Sequence, residues 1–340
     1  MVSTESDDGR PPLRRRRRVV LPIILVGVAL AVVGALAVGS VYALRVDSAV
    51  NQNLRRVDDL PAQVPADPSE APRPAKNSNS QAVNYVLIGS DSRDISNAGA
   101  GRSDALMVLH LTGDRRAAYL ISFPRDMYVP IPGHGKDKIN AAFAYGGTAL
   151  TIRTLEGLLD VRMDHVAVID FDGFVGLTED LGGVTVFNEH PSVSGGWAFP
   201  LGKVTIRGEQ ALAYVRERKQ LPGGDLDRSQ RQRAVVAAII GKGLSRQVIT
   251  DPDQFIRFAG GAARHITVDR QLNERELRST ALSLRLTPDA LHLIQAPIRG
   301  FGTSPTKQSI DLVDQAKLDE LAAAMHDDRM ADYRTKYPEG

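Results

Sequence analysis

The sequence predicts an α/β protein: a three-layer αβα domain with a mixed central sheet, preceded by a single transmembrane helix. Three observations carry this prediction. From residue 82 onward, apolar runs of strand length alternate with stretches of helical period, the pattern of helices packed against a sheet. Between Arg18 and Arg45 there is no charged residue. Charged residues also recur directly behind the apolar runs, where open α/β sheets place their ligands.

Residues 1–18 form a basic tail that ends in Arg14 to Arg18. Residues 19–44 are mostly Val, Leu, Ala, Ile and Gly. As a helix they extend about 39 Å, against a hydrocarbon core of about 30 Å, so they suffice for one tilted span. The arginines ahead of the span set a cytoplasmic N-terminus and an extracellular bulk at the cell membrane. A cleaved signal peptide, cut near Ser40, is the competing reading. Val46, Val50, Leu54 and Val57 keep helical spacing, so the membrane helix is expected to continue outward. Residues 61–81 carry five prolines and, within the segment 45–81, form an extracellular linker without a core. The globular domain is expected at 82–327, followed by a loose polar tail at 328–340.

Within the domain, strands are expected at 83–89, 104–111, 117–123, 165–171, 265–268 and 290–296. Helices are expected at 137–159 (two pieces split by Gly146-Gly147), from 172 to 181, and at 208–217, 228–244, 253–263, 273–286 and 311–325. The helix 228–244 is apolar nearly all round at 234–240 and reads as buried. The net charge of +2 gives no general surface for nucleic acid. The absence of cysteine excludes disulfides and thiolate chemistry. Seven scattered histidines show no ligand spacing.

The densest chemistry lies between Tyr214 and Arg233, where Arg216, Arg218, Arg228, Arg231 and Arg233 surround Asp225 and Asp227. Guanidinium groups fit phosphate oxygens in pairs. Pro222-Gly223-Gly224 divides the segment, and Asp227 is expected to cap a helix starting at Arg228. Arg228, Arg231 and Gln232 then share a face at its positive end. Arg216 and Arg218 are two apart, so serving one site requires the preceding helix to unwind between them. Asp91, Arg102, Asp104 and Arg125 follow or enter three neighbouring strands. Carboxylates facing arginines suit a phosphate bridged by a hard cation such as Mg2+. A solvated, salt-bridged helix pair is the plain alternative for the arginine segment.

Taken together, Asn84-Tyr-Val-Leu-Ile-Gly-Ser-Asp-Ser-Arg93, Arg102-Ser-Asp-Ala-Leu-Met107, Ser122-Phe-Pro-Arg-Asp126, Lys138-Ile-Asn-Ala-Ala-Phe-Ala-Tyr-Gly-Gly147, Ile169-Asp-Phe171, Leu181-Gly-Gly-Val184 and the arginine segment resemble the LytR-CpsA-Psr family. The resemblance implies a membrane-anchored phosphotransferase. Such an enzyme moves a glycopolymer from a polyprenyl-pyrophosphate carrier to a peptidoglycan acceptor through a phosphodiester link. It implies Mg2+ at Asp91 and Asp104, pyrophosphate contacts from Arg102, Arg125, Arg216, Arg218 and Arg228 with Gln232, and Asp225 as either proton acceptor or orienter of Arg228. It also implies an apolar channel for the prenyl tail, with 234–244 as one wall if that helix is more than core. A pyrophosphatase using water, or a non-catalytic regulator that binds the lipid carrier, are the alternatives.

Overall fold

The structure, a computed structural model, describes residues 48, 52–57, 72–91, 101 and 103–338. The expected tail 1–18, the span 19–44 and Arg102 lie outside the described residues. Among the described residues no helix is long and apolar enough to cross a membrane.

In chain order the first part comprises β1 (Arg55–Val57), β2 (Val83–Ser90), β3 (Ser103–Leu111), β4 (Ala118–Ser122), β5 (Tyr128–Ile131), β6 (Gly135–Lys138), α1 (Ala141–Leu159), β7 (His165–Asp170) and α2 (Phe171–Asp180). Two hairpins follow in β8 (Val184–Asn188), β9 (Ser192–Ser194), β10 (Trp197–Phe199) and β11 (Gly202–Ile206). Then come α3 (Gly208–Arg216), α4 (Asp225–Gly243), α5 (Arg246–Thr250), α6 (Pro252–His265), β12 (Thr267–Asp269) and α7 (Glu274–Ser283). The chain closes with β13 (Leu291–Gln295), β14 (Ile298–Thr303), β15 (Ser309–Val313), α8 (Gln315–His326) and α9 (Met330–Lys336).

A seven-stranded mixed sheet runs in the order β1-β12-β7-β2-β3-β4-β13. The pairs β2–β7 and β4–β13 are parallel, while β2–β3 and β3–β4 are antiparallel. This topology brings the carboxyl ends of β2, β4, β7 and β13 to one edge, beside the start of β3. Strict alternation along β2 sends Val86 and Ile88 into one core, as a two-sided strand requires. That core also holds Ile152 and Leu155 of α1, Leu318 and Leu321 of α8, and Met330 and Tyr333 of α9. Leu87 points to the other face, where α2, α3 and α4 pack around Leu177, Val215 and Val235.

Several expectations need correction. Residues 330–336 are not loose: Met330 and Tyr333 are buried, and Lys336 pairs with Glu320 at 2.6 Å. Residues 55–57 do not extend a helix but pair in parallel with β12. Nor is the proline-rich stretch only a spacer. Arg73 Nε and Nη2 donate to the two oxygens of buried Glu156 at 2.7 and 2.6 Å. The expected helix 311–325 begins later, at Gln315. Residues 309–313 form β15, and Asp314 caps α8 by accepting from Lys317 N. The break at Gly146-Gly147 is present as a kink in α1, with Gly147 at φ 61°.

Candidate functional site

The site is assembled at the strand-end edge. Asp91 follows β2 by one residue, and Arg125 follows β4 by three. Asp104 lies in a β-bulge: Gly89 pairs with Ala105 and Ser90 with Ser103, leaving Asp104 without an opposite residue. Simple alternation would direct Asp104 to the same face as Leu106. The extra residue re-aims it, and Asp104 lines the cavity together with Ala105 and Met107.

The arginine segment closes over this edge. α3 ends at Arg216, and Glu217 is extended at φ −66°, ψ 133°, so the helix does unwind between Arg216 and Arg218. α4 begins at Asp225 rather than Arg228, after Gly224 at φ 56°. Asp227 accepts a hydrogen bond from Gly223 N at 2.7 Å instead of capping a later start. The shift of one turn matters because it puts Asp225 itself in the first turn of the helix, where a carboxylate is favoured by the helix dipole.

Asp225 Oδ1 gathers three guanidinium groups, from Arg228 Nη2 at 2.7 Å, Arg125 Nε at 3.3 Å and Arg218 Nη1 at 3.9 Å. Arg125 Nη1 donates to Asp104 Oδ1 at 3.1 Å. The contacts to Asp225 Oδ1 are ion pairs and not hydrogen bonds. That oxygen, Arg125 Nε and Arg228 Nε are all buried without a hydrogen-bond partner. Burial lowers the Arg228 pKa from the usual arginine value. Buried donors left unsatisfied in this way are costly and suit an incoming oxyanion.

Arg216 lies apart from this knot, with its guanidinium 4.7 Å from the centroid of the Phe171 ring. It sits at the rim of an apolar cavity of about 280 Å³ between the sheet and the α2–α3–α4 layer. Leu87, Met107, Phe174, Val236 and Ile240 line its body, and Asp104, Asp170 and Gln232 also border it. The helix stretch 234–244 is therefore a cavity wall. Gln232 donates to Val215 O at 3.3 Å, tying α4 to α3. Arg231 turns away from the site: its Nη2 donates to Asn188 Oδ1 and His190 O, each at 2.8 Å, and its guanidinium stacks on Tyr214.

The model of the LytR_cpsA_psr family matches residues 49–327. The chain belongs to this family. A teichoic acid transferase TagU of Bacillus cereus (strain AH820) is 37% identical over 223 residues, covering 65% of this chain and 72% of that protein. TagU of Bacillus subtilis (strain 168) is 34% identical over 220 residues, with 64% and 68% covered. Among solved structures, B. subtilis TagV superimposes with a TM-score of 0.64 at 25% identity, covering 74% of this chain and 98% of TagV. A structure of TagT bound to LIIa-WTA gives 0.59 at 28% identity, covering 77% and 98%.

Within this LytR_cpsA_psr domain the structure adds Asp311, absent from the sequence candidates, and gives Arg233 and Lys138 their partners. Asp311 on β15 is 5% exposed, and its Oδ2 has no partner. Its backbone N donates to Asp126 O at 2.8 Å. Burial and the nearby Asp126 and Asp225 push its pKa up to about 6. The available signal was a single acid between Ile310 and Leu312, which marks a strand with a charge turned inward. Arg233 reaches the ends of β4 and β13 and donates to Gln295 Oε1 at 3.3 Å; burial pushes it down to about 10. Lys138 pairs with Asp126 at 2.9 Å. Among the described residues no group of three or more His, Asp or Glu side chains is placed to enclose a metal ion.

Proposed function

We propose that the protein moves a glycopolymer from a polyprenyl-pyrophosphate carrier to peptidoglycan, forming a phosphodiester link. One observation carries this reading: an apolar cavity ends at Asp104, whose partner Arg125 belongs to a knot of three guanidinium groups gathered on Asp225. A ligand with a hydrocarbon tail and a pyrophosphate head has that division of chemistry. The relatives support the reading, since TagU is named a polyisoprenyl-teichoic acid–peptidoglycan teichoic acid transferase.

In this proposal the prenyl chain lies against Leu87, Phe174 and Ile240. Arg125, Arg218 and Arg228 receive the pyrophosphate, with Arg216 at the cavity rim and Arg102 preceding β3. A hydroxyl oxygen of the acceptor forms a bond to the sugar-bearing phosphorus. The bond from that phosphorus to the bridging oxygen breaks, polyprenyl phosphate leaves with that oxygen, and the hydroxyl proton passes to water. The guanidinium groups stabilise charge growing on the leaving phosphate. Asp225, in contact with three of them, serves to orient Arg228 and Arg125. Asp91 and Asp104 would hold Mg2+, which when bound supplies positive charge to the phosphate oxygens. The segment 19–44 would anchor the domain to the outer side of the cell membrane, a placement that rests on its sequence alone.

The test is to incubate the full-length protein in detergent with a polyprenyl-pyrophosphate glycan, Mg2+ and peptidoglycan fragments, and to follow both products by mass spectrometry. A phosphodiester-linked conjugate that disappears with chelator and with Arg228→Ala is the expected result. Polyprenyl phosphate with only free glycan phosphate would replace the proposal with a hydrolase. Carrier binding without cleavage would replace it with a non-catalytic carrier-binding protein.

A further inference from the structure

α3 carries two faces. Ala211, Tyr214 and Val215 are buried in the core. Glu209, Leu212, Ala213 and Arg216 recur at i, i+3, i+4 and i+7, so they form a second stripe. This stripe faces the β9–β10 hairpin across a cleft of about 310 Å³, whose other wall contains Ser194, Gly195 and Trp197. Trp197 is 45% exposed. Leu212 and Arg216 line both this cleft and the apolar cavity. The two spaces therefore meet at the arginine placed at the head of the carrier.

The hairpin is held in place. Val193 N donates to Gln220 Oε1 at 2.8 Å and Gln220 Nε2 donates to Val193 O at 2.9 Å. Arg231 Nη2 donates to Ser192 Oγ at 3.0 Å. Gly195 has φ 56°, and a Cβ there would approach the Ala213 Cβ to 3.2 Å. The cleft is thus preformed and does not depend on a loop closing.

We infer that this cleft binds a sugar ring of a saccharide ligand beside the pyrophosphate, with Trp197 as the stacking face and Glu209 and Arg216 as partners for hydroxyl groups. The inference rests on the function proposed above and extends it. An indole face covers the apolar C–H face of a pyranose while leaving its edge wet. A carboxylate accepts from ring hydroxyls, and a guanidinium donates to ring or acetamido oxygens. A hydrocarbon occupant would strip water from Glu209 and return no hydrogen bond. A sugar satisfies all three groups. The ring comes either from the acceptor glycan or from the first residue of the donor glycan.

Trp197 is the only tryptophan in the chain, so indole emission, excited selectively over the tyrosines, reports this cleft alone. The full-length protein in detergent is titrated with oligosaccharides of N-acetylglucosamine and N-acetylmuramic acid, and separately with N-acetylglucosamine 1-phosphate. A saturable emission change with the first probe assigns the acceptor ring; a change with the second assigns the donor ring. Trp197→Ala is expected to raise the KM for the assigned saccharide in transfer up to about tenfold, the scale of one stacked contact, and Trp197→Phe to restore most of it. Emission unchanged by both probes, or a wild-type KM in Trp197→Ala, overturns the inference. Carrier cleavage by the same wild-type preparation is measured in parallel. If cleavage and transfer proceed while the titrations are flat, only the saccharide site is lost. If the titrations saturate but no conjugate forms, the transferase reading fails and the saccharide site stands.

Discussion

At Asp311, burial and two neighbouring carboxylates oppose ionisation, and the pKa stands at about 6 against an ordinary 3.8. The sign of the resulting pH dependence is fixed. Between these values the folded protein holds a proton that the unfolded chain has released, so stability from this group falls as pH rises from about 4 to about 6. Above that window the cost is complete, on the order of 3 kcal/mol. Asp311→Asn should therefore be more stable than wild type at pH 7.5, with the difference vanishing below pH 4. Denaturant unfolding at both pH values checks this, and an unchanged or lowered stability at pH 7.5 would contradict it. Asp225 calls for a different comparison. If it orients guanidinium groups, Asp225→Asn keeps an acceptor oxygen and should lose less transfer than Asp225→Ala, which should fall about a hundredfold. Equal losses, with a flattened acid limb in the pH–rate profile, would make it the proton acceptor instead. The individual candidates were legible because charge directly behind an apolar run is visible in one dimension. Asp311 was not, since the flanking Ile310 and Leu312 were absorbed into an expected helix at 311–325.

Among the elements, α4 shows how a glycine fixes a site. Gly224 sits at φ 56° ahead of the first turn, and a Cβ there would meet no atom within 4 Å. Gly224→Ala should thus cost about 1–2 kcal/mol through the backbone alone, measurable in a chemical melt. It should also weaken transfer, by shifting the turn that carries Asp225 and Arg228. A loss of transfer with no loss of stability would separate the two effects. Further along the same helix, Val236 lines the cavity. Val236→Trp should fill it and weaken carrier binding, which a lipid-binding titration reads directly. The helix was legible as a long apolar stretch. Its start was misplaced because Asp225 and Asp227 are both plausible near an N-terminus, and only the left-handed Gly224 decides between them. The bulge at Asp104 left no sequence signal, because the extra residue is defined by the pairing of β3 with β2.

For the whole molecule, the alternation of strands and helices gave the mixed α/β architecture, while the limits of the domain were harder to read. Composition marks 61–81 as proline-rich, yet Arg73 forms a bidentate pair with Glu156, whose side chain is 2% exposed. Removing one partner of such a pair leaves a buried charge alone, at about 3–5 kcal/mol. Arg73→Ala should show that loss in thermal unfolding, whereas Lys76→Ala, at the more exposed Asp164 pair, should change stability by less than about 1 kcal/mol. Similar losses in both variants would argue against a structural role for Arg73. The terminal helix was missed for a related reason: only Met330 and Tyr333 reach the core, too few contacts to show as a periodic pattern. β1 has a consequence of its own. Its three residues lie beside β12 at the outer edge of the seven-stranded sheet. A chain cut back to residue 82 would uncover the backbone donors and acceptors of Thr267–Asp269, an open template for another molecule's strand. Such a shortened protein should self-associate as its concentration rises, while the chain that keeps residues 55–57 remains protected along that border.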